Sequence, residues 1–153
     1  MARRGAVCLG MLRIGTVLIF TLAMAWAAQL ERVEMGAPIP GFDPADLHTY
    51  KIARPTRVFE AGDGAIVFVT YWRFEPGDAG EQTFEMYLIP PRGEVERAGY
   101  TFRVPAAWEG RVKPTFWHFR LNPTKAGQQA GEWTVYFLFN GELKGKARFR
   151  LEP

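Results

Sequence analysis

The chain has 153 residues, of which 48% are hydrophobic, 14% aromatic and 23% charged. That composition excludes a disordered or collagen-like chain and leaves room for one globular domain. The 19 Lys and Arg exceed the 16 Asp and Glu only because Arg3, Arg4 and Arg13 precede Ala28; the rest of the chain is neutral, and a bulk electrostatic case for nucleic acid fails because phosphate binding needs surplus positive charge.

The first element in chain order is a basic start followed by an apolar run. Ile14 to Ala28 contains 15 residues without a charge and ends in small residues, the pattern of a secretory signal over residues 1–28. Ala25-Trp26-Ala27 has the small-x-small spacing of a cleavage site, so cleavage is expected after Ala27, with Ala28 the next choice. As a helix the run rises about 22 Å, short of the ~30 Å hydrocarbon core. No stable membrane span is therefore expected after cleavage, an uncleaved anchor being the alternative, and the expected location is periplasmic or extracellular. Cys8, the single cysteine, lies within the signal. The exported part then has no disulfide, thiolate nucleophile or cysteine metal site. Its two histidines, His48 and His118, form no H-x-x-x-H pair, so neither a metal nor another cofactor is expected.

Residues 29–46 read as a lead-in segment, punctuated by Pro38, Pro40 and Pro44 and loosened by Gly36 and Gly41. Within it, Asp43 and Pro44 suit the N-cap and first position of a single helical turn. The domain proper is expected over 47–153. Segments of high β propensity alternate there with Gly, Pro and Asn clusters, predicting strands near 47–52, 56–61, 64–74, 82–90, 98–104, 116–121, 132–139 and 142–151. Seven to eight short strands and no helical periodicity point to an all-β, antiparallel immunoglobulin-like sandwich, with a small closed barrel as the runner-up.

Side-chain parity constrains the last hairpin. Trp133, Val135, Phe137 and Phe139 share one face, as do Leu143, Gly145, Ala147, Phe149 and Leu151. A two-residue Asn140-Gly141 loop would set Phe137 against Lys144. A three-residue loop sets Phe137 against Leu143, Val135 against Gly145 and Trp133 against Ala147, so parity predicts the longer loop, with Gly141 as its left-handed residue. The stretch Gly131-Glu132-Trp133-Thr134-Val135-Tyr136, followed by Asn140-Gly141-Glu142-Leu143-Lys144-Gly145 and Phe149, resembles the final hairpin of exported bacterial immunoglobulin-like modules. That resemblance covers about 20 residues and implies the sandwich fold and a binding, adhesive or accessory role; it transfers no site residues.

Two features are candidates for binding. Lys144, Lys146, Arg148 and Arg150 alternate along the final strand. They make either a cationic stripe for an anionic polymer or acidic partner or a solvated terminal strand guarded against edge pairing. Arg103, His118 and Arg120 extend the stripe only if their strands share its sheet. Trp108, between Pro105 and Pro114 in an apparent loop, either anchors a ligand or closes one end of the sandwich. Trp133 and one of Trp72 or Trp117 suit the core. Aromatics on both faces of 64–74 predict a central strand or a face covered by the lead-in segment.

Catalysis finds little support. Serine is absent. A threonine nucleophile would have only His118 as base, and the carboxylate pairs on offer are Glu81 with Glu85 and Asp63 with Asp78, with nothing to set their pKa values apart. The expected function is that of a non-catalytic exported binding or accessory module recognising an envelope protein or polymer. A carbohydrate-binding module using Trp108 and neighbouring aromatics is the alternative, and an enzyme with an unrecognised site is the third.

Overall fold

The structure is a computed structural model that describes residues 27–122 and 128–153. The expected signal and Cys8 therefore lie outside the described residues, except Ala27 and Ala28. Nine strands are described: β1 (Gln29–Pro38), β2 (Ile52–Pro55), β3 (Val58–Phe59), β4 (Ala65–Arg73), β5 (Gly80–Ile89), β6 (Glu96–Val104), β7 (Val112–Arg120), β8 (Gly131–Phe139) and β9 (Glu142–Leu151). They form a two-sheet β-sandwich, with order β2-β1-β4-β7 in one sheet and β3-β9-β8-β5-β6 in the other. All pairings are antiparallel except the short β3–β9 contact.

Period-2 patterning accounts for the core. β8 buries Trp133, Val135, Phe137 and Phe139, and the opposing β4 buries Ile66, Phe68 and Trp72. Rings from the two sheets interlock: Trp72 meets Phe84 at 5.5 Å, Phe68 meets Phe137 at 6.2 Å, and Phe119 meets Trp133 at 5.4 Å between centroids. Trp72, Trp117 and Trp133 are all buried, where only two of them were expected in the core. The indole N–H groups of Trp72 and Trp117 are satisfied by a buried threonine pair: Trp72 donates to Thr70 (3.1 Å) and Thr115 (3.0 Å), and Trp117 to Thr70 (3.2 Å). That pair lets the third large indole sit in the core without an orphan donor.

The segment expected to lead into the sandwich supplies one of its strands. β1 pairs with β4 along most of its length, from Gln29 opposite Arg73 to Gly36 opposite Val67. Ala28 is fully buried in the core. The prolines mark the end of β1 rather than its absence. Beyond it, Asp43 and Asp46 cap successive tight turns, accepting from Ala45 N and His48 N at 2.9 Å each. The strand expected at 47–52 is instead a 3-10 turn, Leu47–Thr49, followed by β2. Phe42, Tyr50 and Ile52 fold over Val67 and Val69 on the outer face of β4, so β4 is central and covered.

The final hairpin corrects the expected loop. Asn140 (φ 48°) and Gly141 (φ 78°) both occupy the left-handed region, forming a two-residue turn. The parity conflict is resolved by a β-bulge: Leu138 faces Leu143, Phe137 faces Gly145, and Lys144 is the extra residue. Phe137 thus opposes the smallest residue, while Trp133 opposes and stacks on Phe149 at 5.7 Å.

Candidate functional site

β6 and β7 are the last strands of their sheets on the same side of the sandwich. Between them lies a cleft of about 640 Å³ lined by Leu47, Tyr100, Phe102, Trp108, Phe116, Trp117 and their neighbours. The alternation of β6 turns Ala98, Tyr100 and Phe102 inward, where no further strand covers them, so they remain half-buried. Tyr100 lies 4.7 Å from Trp117, and Phe102 lies 5.7 Å from Trp108. Leu47 stands on the rim, 65% exposed. The polar lining is sparse: Arg103, His118, Thr115 and Tyr50, without a carboxylate or carboxamide. Burial pushes the Tyr100 phenol up to about 12, opposed in part by its hydrogen bond with Thr115.

A second hollow of about 820 Å³ lies on the outer face of the four-stranded sheet, among Glu34, Lys51, Arg57, Tyr71 and Phe116. Its lining mixes apolar residues such as Val33, Ile52 and Val69 with the charged Glu34, Lys51 and Arg57, and Arg32 lies over the Tyr71 ring at 3.9 Å. Apolar enclosure of the kind that holds a ligand is more developed in the β6–β7 cleft.

Trp108 ends a 3-10 turn, Ala106–Trp108, and is half-buried against Phe74 (5.6 Å) and Phe102. It closes one end of the sandwich and simultaneously walls the cleft. His118 faces away from the threonine pair. Its Nδ1 is 2.9 Å from the Tyr50 hydroxyl, which donates to Pro44 O at 2.9 Å. The single hydroxyl hydrogen is thereby used, so His118 carries its proton on Nδ1 and donates. Burial first, and Arg120 second, hold His118 below its ordinary pKa.

The four-residue cationic stripe does not form as expected. Lys144 is the bulged residue; its side chain is only 7% exposed and lies 3.5 Å from Glu142. Lys146, Arg148 and Arg150 do face solvent, but Arg148 and Arg150 sit 3.8 Å and 3.0 Å from Glu132 and Glu152. Arg103 lies three strands from β9, and His118 and Arg120 belong to the other sheet, so none of them extends the stripe.

The carboxylate pairs are also separated. Asp63 and Asp78 lie beyond opposite ends of β4, and Glu81 and Glu85 are spaced about 13 Å along β5. Glu85 is held by Arg97 at 2.5 Å and Asp63 by Arg54 at 2.6 Å. Among the described residues no cluster of three His, Cys, Asp or Glu is placed to hold a metal, and no helix is long and apolar enough to cross a membrane.

Sequence patterning did not reveal the cleft. The available signal was β6 itself, with apolar residues at 98, 100, 102 and 104 and a polar or glycine residue between each. That pattern identifies a half-buried strand but not that it ends a sheet.

No protein-family model and no curated protein sequence matches the chain. Solved structures do. The alkylpurine DNA glycosylase AlkC from Pseudomonas fluorescens, bound to DNA containing an abasic site analogue, is similar with a TM-score of 0.55 at 13% identity, covering 82% of this chain and 30% of that one. A β-glucosidase from Listeria innocua in complex with glucose is similar with a TM-score of 0.50 at 9% identity, covering 82% of this chain and 16% of that one. An immunoglobulin-like protein from Pseudomonas aeruginosa is similar over 82% of this chain and 96% of its own, at 14% identity and a TM-score of 0.46. This chain spans less than a third of the first two proteins, and likeness at such identity shows the fold alone.

Proposed function

We propose that the chain is an exported, immunoglobulin-like, non-catalytic binding or accessory module of the cell envelope or extracellular space, which recognises a protein or polymer through the β6–β7 cleft. The observation that carries this reading is the cleft itself: an aromatic-walled concavity between two edge strands, with sparse polar lining and no acid–base pair aimed into it. The aromatic wall also favours the carbohydrate alternative, because sugar faces stack on such rings. A sugar's hydroxyl groups, however, would meet no carboxylate or carboxamide in the lining. A photo-crosslinker beside Leu47, used on the envelope fraction, tests the reading. Crosslinks should map to the cleft and disappear in Leu47→Glu, a substitution at an exposed rim position. Soluble glycans that shift tryptophan emission, in the absence of any such crosslink, would transfer the assignment to carbohydrate.

Export is tested by the mass of the protein outside the cytoplasm. Processing near Ala27 or Ala28 is expected from the sequence, and intact Met1–Pro153 in the membrane would favour an anchor. The burial of Ala28 adds a constraint. Cleavage after Ala27 would leave an α-ammonium on a buried residue, which is unfavourable, whereas cleavage after Ala28 begins the chain at exposed Gln29.

A further inference from the structure

The cleft's mouth is bordered by an open strand edge, and the hydrogen-bond pattern shows which backbone groups that edge offers. Asn140 N donates to Thr83 O at 2.8 Å. The odd residues of β5 therefore turn their backbone groups toward β8, and the even ones, Phe84 among them, toward β6. Phe84 faces Tyr100 in the register, so the even residues of β6 are engaged by β5. Arg97, Gly99, Thr101 and Arg103 are left turning N–H and C=O outward, and all four are exposed.

β7 is different. Leu121 N donates to Gly64 O, so its odd residues face β4 and Pro114 faces the open edge without an N–H. A proline there obstructs pairing, as edge strands commonly do. β6 has no proline and no bulge in its pairing with β5.

Resting on the reading of the cleft as a binding site, we propose that its occupant is an extended peptide of another protein, added as a further strand to β6, with apolar residues alternating with acidic ones. An added strand lies about 4.8 Å from β6, across the cleft mouth. Alternate side chains would then descend onto Tyr100, Phe102 and Trp108, while the others stand beside Arg97 and Arg103. The charge preference follows from the lining. Arg97 is already paired with Glu85, so the preference rests on Arg103, which stands opposite Glu81 in the register but forms no ion pair among the described residues, and no acidic side chain lines the cleft.

The probe is an acetylated, amidated octapeptide alternating leucine and aspartate, added to the exported protein. Tryptophan emission reports filling of the cleft, through Trp108 and Trp117. Amide exchange at Arg97, Gly99, Thr101 and Arg103 reports strand pairing. Both should respond together. N-methylation of the peptide at the residues facing β6 should weaken binding about tenfold or more, since two or more backbone hydrogen bonds are removed. Thr101→Pro, which takes away an outward donor and no backbone bond to β5, only the exposed hydroxyl contact with Thr83 at 3.0 Å, should do the same while leaving the circular dichroism spectrum unchanged.

An emission change without amide protection, or without sensitivity to N-methylation, would overturn strand addition and leave the cleft a binding site. Decanoate or laminarihexaose shifting the emission where the peptide does not would overturn the peptide and assign the cleft to a lipid chain or a glycan. No response to any of the three probes would overturn both this inference and the function on which it rests.

Discussion

Asn140→Ala is expected to destabilise the domain more than any change at its turn partner Gly141 that merely adds a methyl group. Asn140 holds φ at 48°, which asparagine tolerates and alanine resists, at a cost of about 1 kcal/mol. Its side chain also ties the β8–β9 hairpin to β5: Oδ1 accepts from Thr83 N at 2.8 Å, and Nδ2 donates to Gln82 Oε1 at 2.5 Å. Both bonds are exposed, so together they contribute roughly 1 kcal/mol. The sum is about 2 kcal/mol. Gly141→Ala meets nothing within 4 Å and bears only the left-handed strain at φ 78°, about 1 kcal/mol. Asn140→Asp should cost least, about 0.5 kcal/mol, since it tolerates the positive φ, keeps the acceptor for Thr83 N and loses only the donor to Gln82. Urea unfolding followed by tryptophan fluorescence at constant m measures all three. An Asn140→Ala cost below that of Gly141→Ala would refute the idea that this residue staples the hairpin to its neighbour.

Three further outcomes are expected. Gly36→Ala should cost about 1–3 kcal/mol in the same assay, because its Cβ would run into Ile52 Cγ2 and the Arg54 carbonyl oxygen; a neutral result would mean β2 is not held against β1. The thermal midpoint should fall as pH drops from about 7 to 5. The folded state keeps His118 neutral, so its stabilisation is present above the unfolded pKa near 6.5 and is lost as pH falls through the lowered folded value. His118→Gln should flatten that part of the profile, and an unchanged slope would remove His118 as its origin. Reversing Lys146 and Arg148 to Glu should change stability by no more than about 0.5 kcal/mol and leave cleft binding unaltered; a strong, salt-sensitive loss of binding would move the site to the β9 face.

β4, β5, β6, β8 and β9 were legible because each alternates or carries β-formers between explicit turns, and such patterning is local. The lack of serine, and of any cysteine after Cys8, is likewise read from residue types alone. The hairpin shows where local reasoning stops. Parity correctly placed Phe137 and Gly145 on one face, but an extra residue in the loop and an extra residue in the strand satisfy parity equally. The ladder chose the strand, displacing Lys144 from the cationic stripe. β1 was missed because its prolines and glycines argue against a strand, and it forms by pairing with β4, some 35 residues away. The cleft was beyond the sequence for a related reason. Alternation tells which residues of a strand face inward, but whether anything stands opposite them depends on the order of strands in two sheets. That order is set by long-range pairing, and it placed β6 and β7 last on the same side.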